Sequence, residues 1–163
     1  MIKRYAMGVA LATALSLAAG GAWSASNDCG RVGTWTGETT GPGFQWIATD
    51  TPGMSATTGQ MSLEFIVFPK GLILNYGADR LTNGKGVWEK VKQGEYEFSW
   101  VAYGVNTAAT PMTTVYMIRV SGSILHDGCD EADISYTIEF FKPPGTLVST
   151  STGTATETRM RLP

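Results

Sequence analysis

The sequence predicts an all-β protein, an antiparallel up-and-down barrel of about eight strands, and three observations carry that expectation. Past the first two dozen residues no stretch shows the i, i+3, i+4 apolar spacing of an amphipathic helix, whereas period-two alternation recurs throughout. The alternating runs are rich in Thr, Val, Ile, Tyr, Phe and Trp, and Gly, Pro, Asn and Asp separate them. Two pairs of runs can also be set in hairpin register from the residues alone.

The N-terminus is not part of this pattern. Lys3 and Arg4 form a basic head, followed by an almost uncharged run rich in Ala, Leu, Gly and Val. This is the form of a secretory signal, too interrupted by Gly, Ser and Thr for a durable membrane span. Residues 1–24 are therefore read as a signal peptide cleaved near Ser24 and Ala25, with 25–163 as a single barrel domain. A single-pass anchor is the weaker reading, since neither a second apolar stretch nor a basic stop-transfer flank follows. The expected location is the periplasm or the extracellular medium, with no stable membrane insertion after cleavage.

Removing Lys3 and Arg4 leaves ten basic against fourteen acidic side chains, a net charge of −4. That balance gives no electrostatic footprint for nucleic acid. Cys29 and Cys129 are the two cysteines, and an even count in an exported chain points to pairing. Such a disulfide closes a loop of about 100 residues, for which chain entropy allows up to about 4.7 kcal/mol.

Strands are expected over 31–38, 44–48, 62–68, 72–76, 86–91, 95–105, 113–126, 132–142 and 147–162, with 49–60 as a loop. In the hairpin around Gly128, pairing Arg119 with Glu139 places Ser121 opposite Thr137 and Ser123 opposite Ser135. One face is then polar, and the other carries Tyr116, Ile118, Val120 and Ile124 against Ile134, Tyr136, Ile138 and Phe140. In the hairpin through Lys92, Gln93 and Gly94, a bulge at Gly94 turns Trp88 inward opposite Phe98, beside Tyr96 and Trp100. A two-residue turn would instead bring Glu89 inward as a candidate general base. The last run alternates Thr with small residues, which suits a long strand at a tightly curved closure.

Gly33, Thr34 and Trp35 match the Gly-x-Trp signature of the calycin, or lipocalin-like, barrels, and Arg159 stands where those barrels place a basic residue over the tryptophan. From Met61 onward the chain resembles small exported bacterial β-barrels with a mid-chain Gly-x-Trp (Gly86, Val87, Trp88) and a terminal Gly153 to Arg159 spacing. The allene oxide cyclase and dirigent barrels are similar in architecture only. The chain is shorter than the lipocalins and has no counterpart of their long loop helix. The resemblance implies a barrel plugged at one end by Arg159 over Trp35.

No nucleophile motif, metal constellation or phosphate loop stands out, and neither cofactor nor metal is expected. His126, the single histidine, ends a strand and reads as a turn residue or as a proton carrier at the barrel mouth. Tyr96, Phe98, Trp100, Tyr116, Ile118, Tyr136 and Trp88 are the expected interior ligand contacts. Glu64, and Asp79 with Arg80, read as solvated or paired. The first function expected is binding of a small lipophilic molecule inside the barrel. The alternative is a cofactor-independent isomerase, cyclase or lyase using His126, Tyr136 or Glu89. A third is an inhibitor or interaction protein acting through loops such as 104–112.

Overall fold

A computed structural model describes residues 30–40, 43–67 and 77–161. The expected signal peptide, Cys29 and the strand expected at 72–76 lie outside the described residues. Among the described residues nine strands run in chain order: β1 Gly33–Thr39, β2 Gln45–Pro52, β3 Thr58–Val67, β4 Arg80–Leu81, β5 Gly84–Lys92, β6 Glu95–Asn106, β7 Thr113–Asp127, β8 Glu131–Lys142 and β9 Thr146–Arg159. All pairings are antiparallel. Strands β1, β2, β3, β5, β6, β7, β8 and β9 close into a ring of eight, and β1 pairs with β9 to seal it. The short β4 lies beside the end of β6, Arg80 opposite Val105.

Both expected hairpin registers are present. Arg119 faces Glu139, with Nε to carboxylate 2.7 Å, and Ser121 faces Thr137 on the outer surface. The ladder between β5 and β6 shifts between Lys90 and Lys92, Gly94 adopts φ +73°, and Trp88 stands opposite Phe98. Glu89 is therefore exposed on the outer face opposite Glu97, which corrects the alternative that made it an interior base.

The expected loop at 49–60 is instead a hairpin, with β2 continuing to Pro52 and β3 beginning at Thr58. Asp50 hid the alternation. It occupies an inward position between outward Thr49 and Thr51 and is buried against an arginine, so three polar residues in a row still obey a period of two.

Inward side chains fill the barrel in a repeated pattern. Trp46 lies over its cross-strand partner Gly37, Trp88 over Gly59, Tyr116 over Gly104 and Tyr136 over Gly153. Each large ring takes the space its partner's missing side chain leaves, so bulky residues fit a narrow ring of strands.

The two ends differ. The turns 53–57, 93–94 and 128–130 surround Trp35 and the start of β1, whereas the β1–β2 connection and the end of β3 lie at the other end. Near that second end, Asp79 accepts hydrogen bonds from the Thr107 amide (3.0 Å) and hydroxyl (2.8 Å), which hold its carboxyl below the ordinary value and tie the segment before β4 to the β6–β7 loop.

Candidate ligand-binding site

Trp35 plugs one end of the barrel. Its indole is fully buried, with the Arg159 guanidinium 4.3 Å and the Arg31 guanidinium 4.8 Å from its ring centre. The position expected for Arg159 is thus the one it occupies. Its guanidinium also donates to the carbonyl oxygens of Gly30, Val32 and Cys129 at 2.5, 3.0 and 2.9 Å. Trp35 Nε1 donates to the Arg31 carbonyl at 2.9 Å.

Behind this plug lies a buried ionic cluster that the sequence reading did not anticipate. Arg31 pairs through Nε with Asp50 at 2.7 Å and through Nη1 with Glu157 at 2.5 Å, and all three side chains are withdrawn from solvent. Trp46 Nε1 donates to the other oxygen of Glu157 at 2.8 Å. One guanidinium thus serves two carboxylates. Loss of solvation pushes the Asp50 carboxyl up to about 7, Glu157 adds to the rise, and Arg31 opposes it.

Above the cluster is a cavity of about 40 Å³, walled almost wholly by carbon. Six aromatic side chains line it: Phe44, Trp46, Phe65, Phe98, Trp100 and Tyr136. Met61, Leu63, Val120 and the isoleucines 124, 134 and 138 complete the apolar wall, and Glu157 and Thr39 contribute polar atoms. Phe44, Phe65, Thr39 and Tyr136 are half-buried, whereas the tryptophans and aliphatic residues are buried. The first three place the mouth at the β1–β2 end of the barrel. Phe44 and Phe65 sit 6.1 Å apart at 58°, and Phe65 and Trp100 5.5 Å apart at 55°, so the rings form walls in different planes. Burial raises the Tyr136 hydroxyl above its ordinary pKa.

Of the expected contacts, Phe98, Trp100 and Tyr136 line this cavity. Trp88, Tyr96, Tyr116 and Ile118 are buried in the core without lining it. His126 stacks between Trp35 and Tyr96, 5.0 Å from each ring centre, at the plugged end and not at the mouth. The cavity residues missed by sequence are Thr39, Phe44, Trp46, Met61, Leu63, Phe65 and Glu157. Parity could have found the last: once Arg159 is placed inside, Glu157 and Ala155 on the same strand must also point inward. Among the described residues no group of three His, Cys, Asp or Glu side chains is placed to hold a metal ion, and no helix is long and apolar enough to cross a membrane.

The sequence matches no described protein family and no curated protein. Among solved structures it is similar to a biotin-binding protein from chicken, at 14% identity over 83% of this chain and 100% of that chain, with a TM-score of 0.49.

Proposed function

We propose that this barrel binds a small, mainly apolar molecule, or the apolar head of a larger one, at the mouth opposite Trp35. The observation that carries the reading is the aromatic cavity itself, unfilled beneath two half-buried phenylalanines while the other end is sealed by packed and ion-paired side chains. Its 40 Å³ is far below the roughly 300 Å³ at which drug-sized pockets begin. It is about the room that three or four non-hydrogen atoms need. A larger ligand would have to turn Phe44 and Phe65 outward.

Of the three residues the isomerase, cyclase or lyase alternative relies on, Tyr136 alone lines the cavity, and among the described residues no acid or base partner stands beside it there. Both oxygens of Glu157 are engaged by Trp46 and Arg31, Glu89 is outside, and His126 is not at the cavity. We further propose that the protein acts after export and that Cys29 pairs with Cys129. In support, Gly30, the neighbour of Cys29, and Cys129 itself both offer their carbonyl oxygens to the Arg159 guanidinium.

Native mass spectrometry of protein purified from its own host tests the binding reading. A copurified small molecule is expected on the wild-type chain. Val120→Phe, which fills the cavity at an overpacking cost of about 1–3 kcal/mol, should fold and lose it. Unliganded protein that also binds no apolar probe would remove the proposal.

A further inference from the structure

We propose that the cavity selects a cationic head group, a small alkylammonium, over neutral or anionic groups of the same shape; this rests on the binding reading above. The wall chemistry carries the inference. The face of an aromatic ring is the negative side of its quadrupole, and differently tilted rings that turn their faces to a site a few atoms across form a cage that attracts a diffuse cation. Phe44, Phe65 and Trp100 are tilted in that way at the mouth, with Trp46, Phe98 and Tyr136 beneath them.

The polar groups point to the same ligand class. Among the described residues no lysine or arginine lines the cavity, and the one acidic side chain there, Glu157, is 2% exposed. Trp46 Nε1, the indole donor nearest that carboxylate, is already committed to it. Among the described residues the side-chain donors left for a ligand are the Thr39 and Tyr136 hydroxyls and the Trp100 indole N–H, all neutral and too weak to offset the desolvation of a carboxylate or phosphate. A cation of low charge density loses less on leaving water, and the rings recover part of that loss.

Arg31 does not cancel this preference. It faces Glu157 from one side and Asp50 from the other, so once Asp50 is ionised, above about pH 7, a single positive charge is shared between two carboxylates. Arg159 lies against Trp35, bonded to the backbone of Gly30, Val32 and Cys129, and is not part of the cavity wall.

Choline and its neutral carbon isostere, 3,3-dimethylbutan-1-ol, separate charge from shape. Calorimetric titration at constant ionic strength should show choline binding at least about tenfold tighter than the alcohol, with 3,3-dimethylbutanoate not binding. Glu157→Gln keeps an acceptor for Trp46 and removes the charge; it should weaken choline at least about fivefold more than it weakens the alcohol. Should that variant fail to fold, Phe44→Leu at the half-buried mouth should weaken choline more than the alcohol. Alcohol bound as tightly as choline, or more tightly, would overturn the charge preference and leave the apolar pocket standing. Failure of every probe, with Val120→Phe indistinguishable from wild type, would overturn the pocket as well.

Discussion

Arg31 works in two directions. Its aliphatic stem and guanidinium cover Trp35, and its nitrogens hold two carboxylates in the core. Burying three ionisable groups is costly, and a shared cation leaves the carboxylates in competition for it. Asp50, pushed up to about 7 from an ordinary 3.8, keeps a proton in the folded state that the unfolded chain has released. Between those values the native state binds more protons, so this group's contribution to stability is full below the lower value and is lost as pH rises through the higher one. Melting temperature at fixed ionic strength should therefore fall between about pH 4 and pH 7, and Asp50→Asn should flatten the curve in that window. An unaltered slope in the variant would show that Asp50 is not the group responsible. None of this was legible beforehand. Arg31, Asp50 and Glu157 are distant in sequence, and each stands at an inward position where a polar residue ordinarily argues against a core.

The sheet itself was far easier to read, since a wrong register would mix polar and apolar faces. Arg119 with Glu139, and Trp88 with Phe98, fell where alternation placed them. The second half of β2 did not, because Asp50 broke the expected pattern, and the two-residue β4 is too short to show any period. The cavity was read only in part. Interior parity identifies which side chains point in, but the gap beside each ring depends on the partner strand. The four ring-on-glycine pairs show this dependence. A Cβ added at Gly104 would stand 2.1 Å from the Tyr116 ring, so Gly104→Ala should cost about 1–3 kcal/mol by urea denaturation. Combining it with Tyr116→Leu should recover part of the loss, giving a coupling above about 0.5 kcal/mol in a double-mutant cycle. Additive effects would mean the ring does not depend on the missing side chain.

At the scale of the molecule, one end is fastened and the other is not. Arg159 draws the carbonyl oxygens of Gly30, Val32 and Cys129 onto one guanidinium, bringing the chain before β1 to the β7–β8 turn. The proposed Cys29–Cys129 bond would reinforce that junction. Intact mass under non-reducing conditions should be lower by two hydrogens, and reduction should lower stability by up to about 4.7 kcal/mol. Free thiols in the exported protein would refute the pairing.

The seam between β1 and β9 has a consequence for the order of events in folding. Trp35 faces Arg159 across it, and the partners are separated by nearly the whole barrel sequence. Loop-closure entropy makes such a contact late and slow, so a chain lacking β9 has no way to bury its first strand. Until the last strand arrives, β1 and β8 present bare edges able to pair with another copy. The hazardous interval for this protein is thus the time spent unsealed, and anything that delays β9 should convert folding yield into aggregate.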